Sequence, residues 1–268
     1  MMIIEILCVG SELLSGITLN SNAHWLSGQI ARIGGIVKRV TVVLDDLNDI
    51  SSAVKESLVR KPDILITTGG LGTTYDDLTL EAVAIALGKK VALDQQAVQM
   101  IKKSYARRAF HRELTSAHLK MATIPEGSTP IQNPVGSAPA IMEQSGETKI
   151  FCLPGVPSEM KAIFEEQIMP LVKEGVGKFR IQEINYSVRG VTEAMIAPVL
   201  ARIVESHPRQ AIYLKTHPKG YFRKKIPRIR VQIMARGSNE SEVKKRLNSV
   251  AKEIEKEVSR LDGKILGQ

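Results

Sequence analysis

Ile64-Leu65-Ile66-Thr67-Thr68-Gly69-Gly70-Leu71-Gly72-Thr73-Thr74-Tyr75-Asp76-Asp77-Leu78-Thr79 carries the chain from an apolar strand through three glycines, a group of hydroxyls and two acids into a helix. That order suits a phosphate. Glycines let backbone amides approach an anion closely, the threonines add donors, and the following helix terminus contributes partial positive charge. A carboxylate beside a phosphate is repelled unless a cation lies between them, so Asp76 or Asp77 reads as a magnesium-type ligand or as the group that positions a water. The structural alternative is that Asp76 or Asp77 caps the helix and the glycines turn the chain. The run matches neither the Walker pattern nor GxGxxG, which argues against a P-loop NTPase and against a nicotinamide-dependent enzyme.

Working outward, strands alternate with helices. Met2–Val9 is a short apolar run, Ser21–Ile33 has helical spacing, Ile36–Leu44 alternates like a strand, and Asn48–Arg60 is helical again before Asp63–Thr68. Leu78–Leu87, Gln95–Tyr105 and Leu114–Met121 read as further helices. Ala138–Gln144 and Lys149–Leu153 flank a turn short enough for an antiparallel hairpin, and a helix over Ser158–Val172 closes the unit. The pattern predicts an α/β fold with a parallel sheet covered on both faces. Ligands of such sheets sit outside the carboxyl ends of the strands. Three polar loops leave those ends: Gly10–Gly16, leading to Asn20 and Asn22; Asp45-Asp46; and the glycine run itself. The plainer reading of the first two is that Ser21 or Asn22 is an N-cap and that Asp45-Asp46 starts a helix.

Gly175 and Gly177 mark a linker, and the charge changes there. Residues 1–175 carry 17 Lys and Arg against 19 Asp and Glu, whereas residues 176–268 carry 20 against 9. Lys219, Arg223, Lys224, Lys225, Arg228 and Arg230 form a basic group that attracts phosphate-bearing partners. Only Tyr221 and Phe222 lie close by as aromatics, so a solvated basic surface is the plainer reading and a nucleic-acid face the lesser one. This part reads as strand Ile181–Val188, helix Thr192–Val204, strands Gln210–Lys215 and Arg228–Ala235, and helix Ser241–Leu261, a small α+β sandwich. Two domains, 1–173 and 178–268, follow. The 43% hydrophobic content is enough for a core in each. No apolar stretch reaches membrane-spanning length, and the opening residues lack a basic leader and a cleavage site. Cys8 and Cys152 sit in apolar runs without CxxC spacing and read as buried thiols. A cytoplasmic protein with no zinc site and no membrane partner is expected.

These segments also carry a family resemblance. Thr67–Thr79 resembles the signature of the molybdopterin-binding and adenylyl-transferring domain superfamily, and the chain looks like its CinA (competence/damage-inducible protein A) branch. Gly10–Gly16, Asn20, Asp45-Asp46, Gly69–Asp77, Asn133–Pro139 and Leu153–Met160 match that branch in order, over most of residues 1–173. Thr73 stands where proline is usual, and Ala140 replaces a usual glycine. The resemblance implies a three-layer α/β/α domain with a nucleotide or pterin site, and a second, smaller α+β domain of KH-like type. For CinA-type domains it implies a pyrophosphatase, dependent on Mg²⁺ or another divalent cation, that hydrolyses ADP-ribose or a related dinucleotide diphosphate.

On that resemblance Asp45 and Asp77, with their neighbours Asp46 and Asp76, take the catalytic and metal-binding roles. The substrate-binding positions are Gly10, Glu12, Asn20, Gly69, Gly70, Gly72, Thr73, Thr74, Thr79, Asn133, Ser137, Gly155 and Glu159. Two further candidates read more simply as solvated: the Lys215–Gly220 loop with His217, and Arg107-Arg108, a phosphate clamp in the sharper reading. One rival keeps the fold but binds or adenylylates a pterin in molybdenum cofactor metabolism. Another is a non-catalytic nucleotide- or RNA-binding protein that works through the basic domain. Many family members also carry an amidase domain that deamidates nicotinamide mononucleotide; no stretch here resembles it, and no ammonia release is expected. A nucleotide or pterin is the expected partner, nucleic acid a lesser one, and assembly into a homo-oligomer is left open.

Overall fold

A computed structural model describes residues 2–107, 114–207, 211–222 and 226–267, with the backbone alone at 221–222. The chain divides into two compact units, Met1–Val176 and Gly177–Gln268. The first begins with β1 (Ile3–Val9), the short α1 (Ser11–Leu14), α2 (Ser21–Arg32), β2 (Ile36–Val43), α3 (Leu47–Arg60), β3 (Ile64–Thr68) and α4 (Thr79–Leu87). It continues through β4 (Val91–Leu93), α5 (Gln95–Arg107), α6 (Ser116–Lys120), β5 (Thr123–Pro125), β6 (Thr129–Ile131), β7 (Ala140–Ser145) and β8 (Thr148–Leu153). Two helices close it, α7 (Pro157–Ile163) and α8 (Met169–Val176), joined through a π-helical turn at Phe164–Ile168.

The main sheet has the order β2-β1-β3-β8-β7-β6. Pairing is parallel from β2 to β8, the expected antiparallel hairpin joins β8 to β7, and β6, which the sequence pattern did not show, adds a further antiparallel strand. β3 lies inside it with all five residues buried, which explains why Ile64-Leu65-Ile66 is a continuous apolar run and not an alternating one. Leu65, Ile50, Val54, Val83 and Ile101 pack in one core, and Ile4, Ile6, Leu26, Ile64 and Phe164 in another, which gives the three-layer α/β/α arrangement. β4 and β5 pair with each other as a separate ribbon.

Glu5, in β1, is buried and needs partners. Arg60 at the end of α3 donates to it from Nε at 2.9 Å and Nη2 at 2.8 Å, and Ser57 Oγ donates at 3.0 Å. Burial raises the carboxyl's pKa, and the Arg60 and Ser57 bonds outweigh that, so the net displacement is below the ordinary value. Cys8 and Cys152 are both buried and free. Burial pushes both thiols up, Cys152 to about 12. Among the described residues no helix is long and apolar enough to cross a membrane.

The second unit runs β9 (Arg180–Arg189), α9 (Glu193–Glu205), β10 (Ile212–Phe222), β11 (Ile226–Gly237), α10 (Glu240–Arg260) and β12 (Lys264–Gly267). Its sheet is antiparallel in the order β10-β11-β9-β12, the split βαβ arrangement. The closing strand β12 is an addition to the element order read from the sequence. Lys215–Gly220, read there as a loop, lies inside β10, whose pairing with β11 shifts register between Pro218 and Tyr221. Alternate residues decide the two faces. Tyr186, Val188, Val231, Ile233 and Ala235 pack with residues of α9 and α10 in one core. Arg228, Arg230, Gln232 and Met234 therefore point to the opposite face. Arg108, Gln210, Arg223, Lys224, Lys225 and the side chains of Tyr221 and Phe222 lie outside the described residues.

Candidate functional site

The glycine run turns tightly where β3 ends. Gly69 has φ +109°, and a Cβ there would lie 2.2 Å from the carbonyl oxygen of Val9, so only glycine fits. The chain then folds back on itself. Thr79 Oγ1 donates to the Gly69 carbonyl at 2.8 Å, and Thr79 N donates to the Gly70 carbonyl at 3.2 Å. Neither acid caps α4, because the N-cap is Leu78 and it makes no side-chain capping bond. Instead Thr74 gathers both. Its backbone N–H donates to Asp77 Oδ2 at 2.7 Å, and its hydroxyl lies between Asp76 Oδ1 and Asp77 Oδ2 with one proton for two acceptors. The Thr74 hydroxyl is the main reason the Asp76 carboxyl sits below its ordinary pKa, and the charge of Lys120 adds to the effect. Lys120 Nζ donates to the Thr74 carbonyl, tying α6 to the loop.

Gly70, Gly72, Thr73 and Asp77 line a cavity of about 410 Å³, a size that suits a small-molecule ligand. Ser137, Gly155 and Glu159 line it too, while Leu71, Met121, Ala138, Pro154 and Val156 supply apolar surface that the sequence reading did not identify. Asn133 is fully buried and organises the wall. Its Oδ1 accepts from the N–H of Val135 at 3.1 Å and of Gly136 at 2.6 Å. Its Nδ2 donates to the Ala138 carbonyl at 2.9 Å and to Glu159 Oε2 at 2.7 Å. Arg107 is exposed, as the simpler sequence reading has it, and its Nη2 donates to the Asn133 carbonyl at 3.2 Å, so it also braces the loop.

A smaller cavity of about 110 Å³ also includes Gly155 in its wall, with Glu12, Thr18, Asn20, Asn22 and Thr68. The sequence reading assigns the cap of α2 to Ser21 or Asn22. The cap is Asn20, whose side chain accepts from Ala23 N at 3.1 Å. Asn22, two residues further in, points elsewhere: its amide donates to Thr68 Oγ1 at 3.1 Å and to the Gly155 carbonyl at 2.8 Å. Thr68 Oγ1 in turn donates to the Pro154 carbonyl at 2.9 Å, so Asn22 and Thr68 together fix the turn that the two cavities share. A second asparagine beside a cap was the only sequence signal for this role.

Gly10 donates its N–H to the Val43 carbonyl and packs beside the Glu12 carboxylate. Asp45 Oδ2 accepts from Ser11 N at 2.6 Å, and Asp46 caps α3 through Asn48 N at 2.8 Å and Asp49 N at 3.0 Å. The four aspartates are thus engaged in pairs, one pair at the starts of α1 and α3 and the other around Thr74. Among the described residues no three His, Cys, Asp or Glu side chains come together as a metal cage.

The family described as "Probable molybdopterin binding domain" matches residues 5–174. The chain belongs to that family. A solved structure, that of the protein CinA with unknown function from Thermoplasma acidophilum, is 37% identical with a TM-score of 0.57, covering 65% of this chain and 98% of that one. Within the molybdopterin-binding family the chain is therefore of the CinA type. A protein of Aeropyrum pernix is 39% identical over 97% of this chain and 95% of its own. One of Pyrobaculum aerophilum is 41% identical over 88% of this chain and 87% of its own. The family match ends two residues before the first unit does, so both cavities lie within the molybdopterin-binding domain.

Proposed function

We propose that this protein binds a phosphorylated pterin in the larger cavity and serves molybdenum cofactor metabolism, by holding the pterin or by adenylylating it at its phosphate. The wall of the cavity carries the reading: glycine-loop backbone, apolar side chains and a carboxylate, Glu159, fixed by Asn133. A pterin complements each part. Its flat ring takes apolar surface, its ring N–H and neighbouring amino group are two donors for one carboxylate, and its phosphate suits backbone amides at a tight glycine turn. Asp77 on the same wall would repel that phosphate, and Lys120 beside the loop offsets part of the charge. A divalent cation would arrive with the ligand's phosphates and take one or two carboxylates, which needs no preformed protein cage. In this reading Asp77 would take it, with Asp76 beside it on Thr74.

Hydrolysis of ADP-ribose or a related dinucleotide diphosphate is the second reading. The CinA-type likeness favours it, as does the smaller cavity, whose wall shares Gly155 with the larger and offers room for a second lobe of a ligand. The test is product analysis with Mg²⁺, in parallel incubations with ATP plus molybdopterin and with ADP-ribose. Adenylylated pterin, or pterin bound in stoichiometric amount without turnover, supports the first reading. AMP released from ADP-ribose without pterin binding replaces it by the second.

A further inference from the structure

We infer that Lys120 is the positioning residue whose charge lets the glycine loop take a phosphate beside the loop's own carboxylates. The inference rests on the phosphate that both readings above place at this loop, and it names the group that makes its binding possible. The two cavities described above are walled by acids, Glu12 in the smaller and Asp77 and Glu159 in the larger. A third cavity, of about 70 Å³, shares Gly70, Leu71, Gly72 and Asp77 with the larger one and adds Glu81, Lys120 and Thr123. Among the described residues Lys120 is thus the one cationic side chain lining these three cavities, against four carboxylates. A multiply charged anion brought against such walls is repelled unless a positive charge is fixed beside it.

The lysine is held at both of its ends. Ahead of it in α6 the N–H of Thr115 donates to His118 Nδ1 at 3.0 Å, and Tyr105 of α5 packs edge-on to that imidazole with ring centroids 4.9 Å apart. Behind it Met121 and Ala122 are buried, and Thr123 Oγ1 donates back to the Leu119 carbonyl at 3.0 Å. At the tip, Lys120 Nζ donates to the carbonyl of Thr74, the residue that holds both loop aspartates through its N–H and its hydroxyl. A neutral donor would satisfy that carbonyl as well. What a half-buried ammonium adds is charge, set behind the loop whose amides face the anion. Lys120 therefore acts through the loop, and phosphate affinity depends on its charge and not on its hydrogen bond alone.

The test is calorimetric titration of the full chain with inorganic pyrophosphate, in EDTA and in saturating Mg²⁺. In EDTA the wild type should bind, and Lys120→Gln, which keeps a donor for the Thr74 carbonyl but no charge, should weaken binding at least about tenfold. Lys120→Arg keeps the charge and should stay within about threefold. Mg²⁺ supplies positive charge of its own, so the loss in Lys120→Gln should shrink to about threefold or less. Asp77→Asn removes the opposing carboxylate while keeping its shape. Added to Lys120→Gln it should recover most of the affinity lost in EDTA, which a merely structural lysine would not allow. Lys55→Gln, exposed on α3 and lining none of these cavities, removes the same charge and should cost less than about twofold. Circular dichroism melts of each variant separate lost binding from lost fold. No wild-type binding in EDTA, equal affinity of Lys120→Gln and the wild type, no recovery in the double variant, or equal loss in the Lys55 control would overturn the inference. No wild-type binding even with Mg²⁺ would overturn the phosphate reading along with it, so the two failures are told apart.

Discussion

Thr74 holds two acids in place and lowers the pKa of one, Asp76. Its hydroxyl holds Asp76 and Asp77 together, so Thr74→Val should let the Asp76 carboxyl rise toward its ordinary value of 3.8, read by carboxyl NMR titration. Because the folded value is depressed, whatever Asp76 contributes is fully present above that ordinary value and is lost as pH falls through the depressed one. The wild-type loop should therefore be unchanged between about pH 5 and 8. A titration midpoint unmoved by the substitution would show that another group sets it. Asn133 and Asn22 show what a single residue hides in sequence. Both match or adjoin a motif, yet their work is to join loops, Asn133 to Glu159 and Asn22 to Gly155, across separations no local pattern records. Gly69 was legible as a turn, but the reason for glycine, the Val9 carbonyl 2.2 Å from any Cβ, comes from a neighbouring strand. Gly69→Ala should lower unfolding free energy by at least about 2 kcal/mol in urea titration, since both the positive φ and the contact oppose it.

Helices with a clear period, such as α2, α3 and α10, were readable because their buried stripe repeats often enough to be seen. The elements that escaped are short. β4, β5 and β6 have three residues each and β12 has four, too few to show alternation. The antiparallel pairing of β7 with β8 was legible from the short turn between them, whereas β6, which extends that edge of the sheet, was not. Between α3 and β1 the Arg60–Glu5 pair offers an element-scale test. Arg60→Met should destabilise the protein by roughly 2–3 kcal/mol, less than for a fully buried pair because Arg60 is partly exposed. In the wild type the folded Glu5 value lies below 4.5, so the pair's contribution is present above that pH and is lost as pH falls through the folded value. Burial then acts with less opposition in the variant, and its stability should fall less steeply toward acid pH. An unchanged acid limb in chemical denaturation would contradict this account of the pair.

The whole molecule combines a slightly acidic unit that carries the cavities with a basic one that presents a charged sheet face. Each unit has its own buried core, so a fragment of residues 1–176 is expected to unfold cooperatively by calorimetry and to retain ligand binding. A fragment without a cooperative transition would mean that its core depends on the rest of the chain. The family was legible from ordered motifs, while the choice between pterin and dinucleotide diphosphate was not, because both demand a glycine turn and an acid. Our proposal rests the choice on the apolar wall and the fixed Glu159. The most direct measurement is calorimetric titration of the full chain and of Glu159→Gln with molybdopterin and with ADP-ribose, each with Mg²⁺. Saturable molybdopterin binding near one per chain, weakened about tenfold or more by Glu159→Gln and tighter than binding of ADP-ribose, is the predicted result; no molybdopterin binding by the wild-type chain, or affinity indifferent to Glu159, would contradict it.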